Sequence, residues 1–198
     1  MTLHDLPKMF YSYSEGWSEL QRIHPTMAWL FVLYVMPLSL LPPAMVTYSM
    51  EVAPGSVFPA LVPALSTSEA VAVGIAFYIA QLLMVWLMAS IIQDMGELVD
   101  TTPGYHDSFM LAAIAPTPLW LSSLALFAPS AWVVGIVVAA AWLGSAALIF
   151  HGVCPLFGIT DHGKGRLMGY FVLALGVVAW LALLVVLALV LSIIVGLR

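Results

Sequence analysis

Most side chains able to do chemistry fall within residues 94–107 and 151–166. Asp94, Glu97 and Asp100 follow one another at intervals of three, so the first two share a helix face and the third lies about one turn further on. His106 and Asp107 come next, followed much later by His151, Asp161 and His162. Carboxylates and imidazoles drawn from several helices could hold a divalent cation. An oxygen-rich set would take Mg²⁺, Ca²⁺ or Mn²⁺, and admitting His106 or His151 would tilt the choice toward Zn²⁺, Ni²⁺ or Fe²⁺. The candidate ligands are Asp94, Glu97, His106 and Asp107, with no HExxH, CxxC or EF-hand loop to accompany them. The alternative is that Asp94 and Glu97 pair with Lys8, Arg22, Lys164 or Arg166, or are solvated. Acids at a helix C-terminus oppose its dipole at about 0.3–1 kcal/mol each when exposed. Something should therefore offset Asp94 and Glu97.

Inside the apolar segments, polar atoms are rarer and more constrained. Gln81 is the strongly polar side chain placed deepest, and such an amide either joins helices or meets a ligand. Pro37, Pro42 and Pro43 interrupt the first long apolar segment, and Pro116-Thr117-Pro118 interrupts the third. Each proline removes a backbone donor and bends the helix. In lipid the freed carbonyls must be met by side chains, neighbouring helices or water, and Ser39, Thr117, Ser122 and Ser123 are the nearest hydroxyls. Broken helices line substrate sites in transporters and also serve as structural kinks. Pro37, Gln81, Pro116, Thr117 and Pro118 are thus candidates for either role. Enzymatic chemistry is not expected. No Ser/His/Asp arrangement or phosphate-cradling glycine loop is present, and Cys154, the single cysteine, has no activating partner nearby in sequence.

These residues must be positioned by membrane helices. With 63% hydrophobic residues, 8% charged residues and a mean hydropathy of +1.09, the composition lies outside the soluble range. A hydrocarbon core about 30 Å thick needs roughly 20 apolar residues per helical span. Five windows qualify, at about 27–48, 69–93, 108–128, 131–150 and 168–197. The expected fold is an all-α, five-transmembrane-helix bundle over 27–198, preceded by a short amphipathic segment at 1–26. Acids among residues 5–22 precede any apolar run, so a cleaved signal peptide is not expected. Lys and Arg are retained on the cytoplasmic side. A cytoplasmic N-terminus puts Lys8, Arg22, Lys164 and Arg166 inside and only Arg198 outside, so the C-terminus should be external. A nucleic-acid partner is not expected: a net charge of −5 would argue against one in a soluble protein, and here it mostly reports acids in loops.

The connections also carry signals. Ser66-Thr67-Ser68-Glu69 has the spacing of a capping box. Pro129-Ser130 is short enough to force an antiparallel hairpin, with Ser130 placed to cap the next helix. The Val52–Ser66 loop, with Pro54, Gly55, Pro59 and Pro63, reads as turns. Phe10, Tyr13, Trp17 and Leu20 fall at helical spacing. That suits either an interfacial helix anchored in the headgroups by Trp17 or one packed under the bundle. His24-Pro25 should open the first span, the proline in its first turn. Gly135, Ala139, Ala140 and Gly144 give the fourth span a small-residue face for close helix contact, within the bundle or in a homo-oligomer.

Several ordered motifs carry a resemblance. Gly16-Trp17-x-Glu19-Leu20 is followed by His24-Pro25 and by Tyr34-Val35-x-Pro37-Leu38-Ser39-Leu40-Leu41-Pro42. Later, Tyr105-His106-Asp107-Ser108-Phe109 runs into Ala115-Pro116-Thr117-Pro118-Leu119-Trp120. Together they resemble the bacterial branch of the Yip domain family, the Ypt-interacting-protein-like membrane proteins, across all five spans. The resemblance implies a five-helix membrane domain with a cytoplasmic N-terminus, here in a bacterial inner membrane. Eukaryotic members are associated with Rab-type GTPases and vesicle traffic. This chain lacks their long cytoplasmic N-terminal region, so a GTPase partner is not carried over.

Two functions are left open. One is a non-enzymatic protein that organises the bilayer or recruits partners. The other is a channel or transporter for a divalent cation or small solute, with the acid and histidine cluster at its mouth. A transporter should show a wet polar path from Gln81 to that cluster, and a scaffold should have a dry interior.

Overall fold

A computed structural model describes residues 15–52, 55, 65–128 and 130–196. Among these residues every regular element is helical. Helix α1 (Glu15–Ile23) precedes five helices long and apolar enough to cross a membrane: α2 (Met27–Val52), α3 (Thr67–Val99), α4 (Tyr105–Phe127), α5 (Ala131–Phe157) and α6 (His162–Gly196). The expected five-helix all-α bundle is what the chain forms. The helices run past their apolar windows, most clearly in α6, which starts at His162 and takes Lys164 and Arg166 into its first turns. Nothing in those residues breaks a helix, so backbone hydrogen bonding continues beyond the apolar run.

Helix α3 packs against α2, α4 and α6, and α5 packs against α4 and α6. The α1 helix and the α3–α4 and α5–α6 connections share one end of the bundle, called here the charged end. Most of the buried core lies in that half. Every residue from Ser108 to Ala115 in α4 is buried, whereas none of the most apolar 18-residue window of α6 is. Much of the far half of α6 is exposed apolar surface, with Val185, Leu189 and Ile193 at 57%, 56% and 61%.

Local chemistry explains the helix ends. Glu69 accepts from the Ser66 amide at 2.7 Å, completing the expected capping box of α3. Ser130 stands at the N-cap of α5, but its side chain makes no capping hydrogen bond. Thr26, rather than Pro25, opens α2: its hydroxyl accepts from the Trp29 amide at 3.3 Å, leaving Pro25 outside the first turn. Helix α3 ends in a Schellman motif. Asp100 is left-handed at φ 53°, Asp100 N–H donates to Glu97 O at 3.3 Å, and Thr101 N–H donates to Gly96 O at 2.9 Å.

Helix α1 packs on α5. Trp17 is fully buried and Leu20 nearly so, and Gln21 Nε2 donates to the Leu156 carbonyl at 3.1 Å. Trp17 is therefore a core residue and not a headgroup anchor, because α5 offers it a ring-sized space at Gly152. Arg22 and Glu19 occupy the outward face at 2.6 Å. That hydrogen bond, and then the carboxylate's charge, raise the Arg22 pKa. Phe10, Tyr13, Lys8, Arg198 and the prolines of the 52–66 loop lie outside the described residues.

Candidate functional site

The charged end does not assemble the cation site considered from sequence. Among the described residues, no group of three or more His, Cys, Asp or Glu side chains could hold a metal ion. Asp94 and Glu97 are exposed on the last turns of α3. The partner found at this helix end belongs to the next acid: Lys164 Nζ donates to Asp100 Oδ2 at 3.1 Å. With the Schellman bonds already satisfying carbonyls, this cation supplies the offset that the acidic C-terminus calls for.

The remaining polar residues there have separate structural partners. His106 Nε2 donates to the Pro25 carbonyl at 2.9 Å, fixing the joint between α1 and α2 against α4. The other ring nitrogen is Nδ1. It is buried without a hydrogen bond, and the Asp107 carboxylate is 3.9 Å away. The His24 ring lies 5.5 Å from that of His106. His151 Nδ1 donates to the Ala147 carbonyl one turn back, at 2.6 Å. Asp161 caps α6, accepting from the Gly163 amide at 2.7 Å, and His162 is exposed at the start of that helix. Asp107 sits in the first turn of α4, where a carboxylate complements the helix dipole.

Hydroxyls take backbone carbonyls at the helix breaks. Pro118 has no amide to give to Ile114, and the Thr117 hydroxyl takes that carbonyl at 2.7 Å. Thr117 Oγ1 also lies 2.8 Å from the Tyr34 hydroxyl, linking α4 to α2. Ser122 and Ser123 donate to Leu119 and Trp120 carbonyls, each at 2.7 Å. In α2 the helix widens to a π turn over Phe31–Val35 ahead of Pro37. The Met36 carbonyl beyond it accepts from Ser39 at 3.4 Å and from Tyr78 of α3 at 3.0 Å. All four hydroxyls named from sequence find carbonyls. Tyr78 was not among them, since nothing in the local sequence says which α3 residue faces Met36.

Away from the charged end, α3, α4, α5 and α6 surround a partly open cavity of about 160 Å³. Gln81 and Pro116 line it, as does Pro42; Pro37, Thr117 and Pro118 do not. Gln81 is 3% exposed, yet its Nε2 has no hydrogen-bond partner among the described residues. It does not join helices as a buried amide commonly does. Ser145 of α5, which the sequence did not single out, lines the same cavity with an equally unpartnered hydroxyl. The rest of the wall is apolar, including Met84, Met88, Trp120, Trp142 and Trp180.

The small-residue face points elsewhere. Gly135, Ala139 and Ala140 are exposed, and Gly144 is half-buried. The close α5–α6 contact instead uses Gly169, where an added Cβ would stand 2.6 Å from the Phe150 ring.

A family model, the Yip1 domain, matches residues 8–183. The chain belongs to the Yip1 domain family. No curated protein and no solved structure shows significant similarity to it. The Yip1 match takes in α1, all of α2 to α5 and the packed part of α6. It therefore includes the proline-broken helices, the Tyr34–Thr117 link and all of the cavity wall except Leu184. The exposed end of α6 lies largely beyond it.

Proposed function

We propose that this Yip1-domain protein is a non-enzymatic organiser of the membrane, working through the outer surface of its bundle. The observation that carries this reading is the close-packed core between the cavity and the charged end. Ile92, Phe109, Val153 and Met168 are each at most 1% exposed and fill the interior there. A solute leaving Gln81 for the acidic face would meet packed hydrocarbon, which weighs against the transport alternative. The outer surface offers what a recruiting protein needs. The Gly135–Gly144 face of α5 is open for a close helix contact, with Trp132, Ile136 and Leu143 beside it at 84%, 68% and 75% exposure. The occupant of that face is a second copy of the chain. On this reading the charged end faces the cytoplasm, the side that Arg22, Lys164 and Arg166 favour, with a bacterial inner membrane as the setting.

The test is cysteine cross-linking in native membranes, with Ala139→Cys in a Cys154→Ser background. A cross-linked dimer is the expected product, with a control at buried Val172 giving none. Liposomes carrying the protein should show no more divalent-cation flux than empty ones. Flux that rises with protein content and is lost in Gln81→Leu would overturn the reading in favour of transport.

A further inference from the structure

The cavity is chemically unbalanced. Gln81 and Ser145 are 3% and 2% exposed, and both present a buried polar atom without a partner at membrane depth. In hydrocarbon an unsatisfied group of this kind is strongly unfavourable. Water could meet these groups only where it finds two polar partners, and apart from Gln81 and Ser145 the wall is overwhelmingly apolar, which suits a hydrocarbon body. A dry cavity of about 150 Å³ holds a guest the size of benzene, and this one, at about 160 Å³ and partly open, has room for the polar end of a longer chain whose remainder lies outside it.

From this geometry we propose that the cavity is a binding site for an uncharged amphiphile: a hydrocarbon body carrying one carbonyl or hydroxyl oxygen. The Gln81 amide has hydrogens to give and requires an acceptor oxygen, and the Ser145 hydroxyl of the same cavity can give to an oxygen or accept from an alcohol. No Lys, Arg, Asp, Glu or His lines the wall, so a charged headgroup has nothing to balance it. Trp142 and Trp180 meet edge to face with ring centroids 5.8 Å apart and form part of the apolar wall. Met84 and Met88 provide flexible surface that adapts to the shape of the guest. A membrane lipid's acyl ester and a free long-chain alcohol share this chemistry. The site is independent of the organising role, which uses the outer surface.

The full chain in detergent is titrated with a brominated decanol and with the matching brominated decane, reading quenching of tryptophan fluorescence. The alcohol should quench saturably and bind about tenfold more tightly than the alkane, the value of one hydrogen bond to a buried group. Gln81→Leu should abolish that preference while leaving alkane binding in place, and Ser145→Ala should reduce it. Gly176 lines the cavity with open space at its Cβ position, so Gly176→Leu should fill the site and remove saturable quenching of both. Helix content by circular dichroism confirms that each variant is folded. Unlabelled diacylglycerol displacing the probe from wild type assigns the site to a membrane lipid, and displacement by free alcohols alone assigns it to a free amphiphile. Equal quenching by alcohol and alkane in wild type would overturn the proposal, as would saturable quenching that survives Gly176→Leu.

Discussion

Trp17 lies directly over Gly152. A Cβ built on Gly152 would stand 2.8 Å from Trp17 Cζ2 and 2.9 Å from Cε2. The indole is fully buried there, so α1 is tied to the membrane domain by its largest side chain and by the absence of one on α5. Gly152→Ala should cost about 1–3 kcal/mol through overpacking, and Trp17→Ala about 3–5 kcal/mol through the space left behind. Thermal unfolding in detergent checks both. A neutral Gly152→Ala would show that α1 does not hold this position.

The Tyr34–Thr117 pair should behave asymmetrically. Tyr34→Phe removes one hydrogen bond and leaves Thr117 on the Ile114 carbonyl, so a loss of about 0.5–1.5 kcal/mol is expected. Thr117→Val keeps the shape but removes both bonds and exposes the carbonyl that Pro118 cannot satisfy, so its cost should be clearly larger. A double-mutant cycle on unfolding free energy measures the coupling, and equal single costs would contradict this arrangement.

The Asp100–Lys164 pair is a surface contact, with side-chain exposures of 86% and 42%. Asp100→Asn and Lys164→Met should each cost under about 1 kcal/mol. Salt at about 1 M should erase the difference from wild type, since screening then acts within about 3 Å. The Asn variant keeps a residue suited to the left-handed turn at φ 53°. A loss that persists in high salt would point to backbone effects instead.

Divalent cations should leave the protein indifferent. Asp94→Asn and Glu97→Gln alter exposed acids that have no ion-pair partner among the described residues, so stability should change by no more than about 0.5 kcal/mol. Calorimetry with Mg²⁺, Ca²⁺, Mn²⁺ and Zn²⁺ is expected to show no saturable heat. Saturable stabilisation abolished by either variant would restore the cation site.

Features that depend on a few neighbouring residues were legible in the sequence. The capping box at Ser66 and Glu69 and the pairing of Thr117 with the carbonyl left by Pro118 each follow from groups within one helical turn. The same is true of Ser39, Ser122 and Ser123, whose carbonyl partners are three residues back. The acid and histidine cluster was different. Its members do gather at one end of the bundle, but shared depth in a membrane says nothing of rotation about each helix axis. Asp94 and Glu97 turn outward, His106 is spent on Pro25, and His151 bonds its own helix.

The sequence by itself determined that this chain crosses a membrane with five helices, because a span is set by the length of an apolar run against a fixed bilayer thickness. It also determined where those helices break, because a proline lacks its amide in any environment. Only the tertiary structure decided that Trp17 goes inside, that the small-residue face of α5 goes outside, and that Gln81 and Ser145 share one cavity. Hydropathy cannot distinguish these outcomes, because lipid and a protein core are nearly equally apolar. Which way a residue faces is settled by the fit of side chains between helices, and that fit exists only once the helices have met.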